Sequence, residues 1–191
     1  MAIKGARAAV SLIELSTSSV LLLLVLSLIW MLTVQFKAYL DNAQGRIQLQ
    51  GEVLKGMRLI SAELAESNRF TVDCRDQSLL FASPRNSQRR VGFDSQGRIL
   101  WPKRVCYLVL GSELWRRELA IEPPSPEPPL PSSQLNLLQD APDPRKIAVC
   151  VVSLQSLLGA DGNLEYTIRG QVRSLIHTYA VEAREKVVLN N

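Results

Sequence analysis

The chain has 191 residues, 47% of them hydrophobic, and a formal net charge of +4. That length suits one ordinary domain, but the apolar residues are too concentrated near the N-terminus for all of them to serve a soluble core. A single histidine, three cysteines, no CxxC or HExxH spacing and no Gly-rich phosphate loop give no basis for a metal, a cofactor or an enzymatic site.

The first element in chain order is "AAVSLIELSTSSVLLLLVLSLIWMLTV", which begins at Ala8. From Leu15 to Phe36 there are 22 uncharged residues, about 33 Å of helix at ~1.5 Å per residue and enough to cross a bilayer core. Lys4 and Arg7 precede it, which predicts a cytoplasmic N-terminus and an extracytoplasmic remainder. A cleaved signal peptide would have a shorter apolar stretch followed by a small-residue site. Neither is present around Lys37-Ala38. Glu14 is the one carboxylate at the mouth of this run. It can snorkel to the interface, or it can pair with a cation supplied by another chain.

"VSLIEL", after a short basic leader and before a long apolar helix, resembles the prepilin-type processing motif. Type IV pilins and the pseudopilins of type II secretion share that motif. The resemblance implies cleavage by a prepilin peptidase between Ala9 and Val10, with methylation of the new N-terminus at Val10. It also makes Glu14 the acid that pairs with a neighbouring subunit's terminal amine during assembly. Ala9 stands where the family usually carries Gly. The implied partners are other pilin or pseudopilin subunits, the peptidase, an inner-membrane assembly platform and membrane lipid. Residues 1–9 are then a leader, and 10–34 are the membrane part of the N-terminal helix.

Residues 35–68 read as an amphipathic continuation. Phe36, Leu40, Ala43, Ile47, Leu54, Met57, Ile60 and Leu64 recur mostly at helical spacing and predict one packed face. Lys37, Asp41, Arg46, Glu52, Lys55 and Glu63 fall mainly off it and are expected in solvent. Gly45, Gly51 and Gly56 each cost a helix interior about 1 kcal/mol, which predicts a bend or a melted turn there. The helix should end near Ser67-Asn68, because "RFTVDC" is β-branched and aromatic.

Residues 69–191 read as an antiparallel β domain. Expected strands are Phe70–Cys74, Ser78–Ala82, Arg89–Phe93, Arg98–Trp101, Val105–Leu110 and Glu113–Ile121. Ile147–Leu154 suits a central strand, and Leu164–Arg169 and Ser174–Val188 follow it. Gly111-Ser112 marks a two-residue hairpin turn, and "DSQG" from Asp94 a second turn. Residues 122–144 hold eight of the ten prolines and predict an extended surface excursion. A long helix followed by an antiparallel sheet predicts an α+β fold in which the helix covers one sheet face. That layout is similar to the pilin fold. "LISAELAESNRF", "SLLFAS", "YLVLGSELWRREL" and the closing "KVVLNN" resemble the larger minor subunits.

Cys74, Cys106 and Cys150 allow one disulfide in an oxidising compartment, or buried free thiols. Basic residues crowd one stretch, and Arg89, Arg90, Arg116 and Arg117 are candidate contacts for DNA or an acidic polysaccharide. A solvated sheet face is the alternative. The expected function is a non-enzymatic minor pilin or pseudopilin that joins, initiates or caps a filament. A single-pass anchored binding or sensor domain that never polymerises is the other reading.

Overall fold

The computed structural model describes residues 12–129, 144–173 and 178–189. The chain divides into two units, residues 1–44 and 45–191, and one helix, α1 (Leu12–Leu64), contributes to both.

In the first unit, every described side chain from Leu12 to Asp41 is exposed. α1 contains a window apolar enough to cross a membrane, and it lies near the N-terminus. Four small hydroxyls in this segment bond to carbonyls of their own helix. Thr17 donates to the Ile13 carbonyl at 3.0 Å, Ser19 to Leu15 at 2.8 Å, Ser27 to Leu24 at 2.7 Å and Thr33 to Ile29 at 2.8 Å. Each therefore enters an apolar environment with its proton already bonded, which is what a bilayer requires of a polar group.

The second unit packs the remainder of α1 on two antiparallel sheets. The first contains β1 (Asp73–Arg75), β2 (Ser78–Ser83), β3 (Trp101–Leu110), β4 (Glu113–Ser125) and β5 (Arg145–Val149), in that spatial order. The second contains β6 (Val151–Leu158), β7 (Asn163–Arg173) and β8 (Thr178–Val188). This confirms a helix followed by antiparallel sheets, with two sheets in place of the single set expected. The divide falls inside Ile147–Leu154, where Cys150 has a φ of 60°. That left-handed residue breaks the run, so its two halves become edge strands of different sheets and neither is central.

The packed stripe of α1 is Leu49, Val53, Gly56, Met57, Ile60 and Leu64. Of the face expected from sequence, only Met57, Ile60 and Leu64 belong to it, whereas Phe36, Leu40, Ile47 and Leu54 are exposed. Ile47 lies about 200° around the helix from Leu49, and Leu54 about 100° from Val53, so neither can share that face. No turn is melted at the three glycines, all of which lie within α1. Gly56 is needed there, since a Cβ would come within 2.9 Å of Leu114 Cδ2 on β4. Gly170 on β7 does the same from the other side, where a Cβ would sit 2.6 Å from Val53 Cγ2. These two small residues let helix and sheets approach closely.

Inward residues of both sheets meet the stripe, among them Leu79, Phe81, Val105, Tyr107, Leu114, Leu154, Leu164, Tyr166 and Ile168. Phe81 and Tyr107 stack with centroids 6.1 Å apart. The Tyr166 hydroxyl lies 2.9 Å from the Met57 carbonyl, and Ser61 Oγ is 2.5 Å from it. The helix ends at Leu64, close to the expected Ser67-Asn68. Ser67 donates to the Leu64 carbonyl at 2.9 Å, and Asn68 Oδ1 accepts from the Phe70 amide at 2.9 Å, opening a short 3-10 turn at Arg69–Thr71.

The hairpin at Gly111-Ser112 joins β3 to β4 in the expected register, Leu110 opposite Glu113, with Gly111 at φ 64°. The turn at Asp94–Gly97 also forms, with the Gly97 amide 3.1 Å from the Asp94 carbonyl. Its expected flanking strands, Arg89–Phe93 and Arg98–Trp101, are reduced to the isolated bridges Arg85–Val91 and Phe93–Ile99, apart from Trp101, which opens β3. β4 continues through Pro123 and Pro124 to Ser125, past the expected start of the excursion at Glu122. Among the described residues β5 pairs only with Glu113–Arg116, and the β3–β4 register slips between Trp101 and Lys103 opposite this stretch, so the prolines fall where the ladder is already interrupted. Most of the remaining Pro-rich segment, and residues 174–177 of the last expected strand, lie outside the described residues.

Candidate functional site

Ala9 and Val10, the residues on either side of the expected cut, lie outside the described residues. Glu14 is placed in the first turn of α1 and is exposed. Thr17 also reaches the Glu14 carbonyl, at 3.1 Å.

A second constellation ties α1 to the sheet. Arg116, on β4, is only 8% exposed. Its Nη2 lies 2.9 Å from Glu63 Oε1 on α1, and its Nη1 pairs with Glu118. Tyr107, on β3, donates to Glu63 Oε2 at 2.8 Å, and Lys103 Nζ donates to Glu118 Oε2 at 2.9 Å. Burial by itself would make Arg116 easier to deprotonate, but its hydrogen bonds to Glu63 outweigh that and its pKa rises. Burial, followed by the Glu63 charge, pushes the Tyr107 hydroxyl up as well. Burial opposes ionisation of Glu118, yet the Lys103 and Arg116 contacts prevail and hold its carboxyl below the usual range. The network therefore sets Arg116 and Lys103 against Glu63 and Glu118, with Tyr107 as a further donor to Glu63. Glu52 is likewise bound, accepting from the Val149 amide at 3.1 Å. The helical spacing predicts Glu52 and Glu63 in solvent, and both are bound instead. The available signal was that Glu63 directly precedes the core residue Leu64, at the margin of the packed face.

Of the four candidate polyanion contacts, Arg89 and Arg116 line one cavity, and the four do not form a single cluster. Arg116 is consumed by Glu63 and Glu118. Arg117 follows it on β4 and points to the opposite face of the strand. Arg89 and Arg90 are both exposed, in the segment between β2 and β3. Other members of the basic stretch are paired locally, Arg85 with Glu66 and Arg98 with Asp94. Cys74, Cys106 and Cys150 are free thiols, and burial pushes the Cys106 thiol up to about 12. No group of three or more His, Cys, Asp or Glu side chains able to hold a metal occurs among the described residues. The chain matches no protein-family model, no curated protein and no solved structure.

Proposed function

We propose that this chain is a non-enzymatic structural subunit, a minor pilin or pseudopilin. It is anchored in a bacterial inner membrane by the first part of α1, with its β domain on the extracytoplasmic side. A prepilin peptidase removes residues 1–9 and exposes a cationic amine at Val10. Glu14 then pairs with such an amine on a neighbouring subunit, and the apolar helices bundle as subunits leave the membrane. The observation that carries the reading is the acid at Glu14, in the first turn of a helix whose next stretch is apolar on every side and exposed. An acid in that place is costly in a bilayer unless a cation meets it.

The reading is tested with Glu14→Ala. Loss of the pair costs about 1–3 kcal/mol per contact, so cross-linking of the variant to other filament subunits should fall at least about fivefold. Its β domain should stay folded, because no residue of the core cluster belongs to the first turn of α1. Undiminished cross-linking would remove Glu14 from assembly and favour an anchored binding domain.

A further inference from the structure

We infer that the second unit carries a binding groove for an extended acidic polypeptide segment, centred on Arg145 of β5. Three adjoining cavities, of about 510, 490 and 670 Å³, are all lined by Arg145. The first two also share Leu59 and Ala62 of α1, and the first and third share Asn86, Ser87, Lys103 and Arg116. They therefore form one continuous depression between the helix, the β5 edge and the segment after β2.

Its charge is unbalanced: Glu122, in the third cavity, is the one lining carboxylate without a cation partner among the described residues, against three cations without a carboxylate. The carboxylates in the first cavity are spoken for, Glu63 by Arg116, Glu66 by Arg85 and Glu118 by Lys103 and Arg116. Among the described residues, Arg58, Arg89 and Arg145 have no carboxylate partner. Lys55, 3.8 Å from Glu52, is held only loosely. The sheet register also sets Arg145 directly opposite Arg116. Like charges in that relation repel, and the carboxylates beside Arg116 are already engaged. Cations converging on a concave surface focus their field on whatever enters it.

The walls also select the kind of anion. No aromatic side chain lines any of the three cavities among the described residues, so there is no platform for stacking bases. Leu59, Ala62 and Ile147 form an apolar floor beside Arg58 and Arg145. Carboxylates interspersed with aliphatic side chains fit both features. Pairing as an extra strand on β5 is hindered, because Glu52 occupies the Val149 amide and the β4–β5 register slips between Leu114 and Trp115. The ligand is held by its side chains. This groove is independent of Glu14 and of filament assembly.

The test uses the full chain in phosphatidylcholine nanodiscs and a fluorescein-labelled peptide of about eight alternating glutamate and leucine residues, long enough to lie extended across the groove. Fluorescence anisotropy, corrected for empty nanodiscs, should show binding that weakens as salt rises, since the contacts are between partly exposed charges. Arg58→Glu combined with Arg145→Glu should weaken it at least tenfold, whereas Arg90→Glu, outside the groove, should not. Unchanged melting curves would show that the variants remain folded. No peptide binding at low salt overturns the inference, as does equal binding by the double variant. Binding of a duplex DNA in place of the peptide would overturn the polypeptide assignment.

Discussion

The two stretches of α1 share one secondary structure and use their apolar side chains differently. From Leu12 to Val34 the apolar residues point in every direction and none is buried. From Leu49 to Leu64 they form one stripe, and Ile47 and Leu54 beside it stay exposed. The first pattern requires an apolar medium all round, either lipid or other helices. The second requires one partner on one side, supplied by the sheets of the same chain. Burial along this helix is decided by angle around its axis, and hydrophobicity alone does not separate the two uses.

The largest effect expected from breaking the stripe is at Leu49. Leu49→Ala should destabilise the β domain by about 3 kcal/mol through lost burial and the cavity left behind. Ile47→Ala should cost under about 0.5 kcal/mol, as expected for an exposed site. Denaturant melts of the full chain in detergent, followed by tryptophan fluorescence, would compare them. Equal losses would mean that the stripe has been assigned to the wrong face.

A smaller loss, about 2 kcal/mol, is expected for Glu63→Ala, which leaves Arg116 largely buried with a single carboxylate partner. Asp161→Ala, which removes the exposed pair with Lys186 and the local hydrogen bonds from Asn163, should cost clearly less than Glu63→Ala. The same melts measure both, and a loss at Asp161 matching that at Glu63 would show that burial of the network adds nothing.

At neutral pH the smallest effect comes from Cys106. Its thiol ordinarily titrates near 9.0 and is held neutral to about 12 in the fold. The unfolded chain therefore gives up this proton first, and stability falls as pH rises from about 9 towards 12. Below that window the thiol contributes no slope. Cys106→Ala should flatten the alkaline decline relative to the parent protein and leave the slope at pH 6–8 unchanged. An identical alkaline slope in both would contradict a buried neutral thiol. Burial of this kind has no counterpart between Leu12 and Val34.

What was legible in the sequence follows the same division. The apolar run, the helix end near Ser67, the Gly111-Ser112 hairpin and its two strands are local signals, each decided by neighbours in the chain. By contrast, Arg89–Phe93 and Arg98–Ile99 form only isolated bridges, and a 3-10 turn occupies Phe70 and Thr71. The stripe was only half legible. Leu49 and Val53 are buried because Gly170, far away in sequence, leaves room for them, and nothing near either residue announces that. The bound states of Glu52 and Glu63 depend on Val149 and Arg116 in the same way. The break at Cys150 was hidden, since a cysteine is not a residue expected at positive φ. At the assembly site, Glu14 stood out as a lone acid beside an apolar run. The groove at Arg145 did not, because its cations come from three separated segments.

The most direct measurement is the intact mass of the protein extracted from membranes of cells that contain a prepilin peptidase. The account predicts a mature chain beginning at Val10, about 0.9 kDa lighter than the precursor apart from the small mass of an added methyl group. A chain that retains Met1 and the full leader in those cells would contradict the filament-subunit reading.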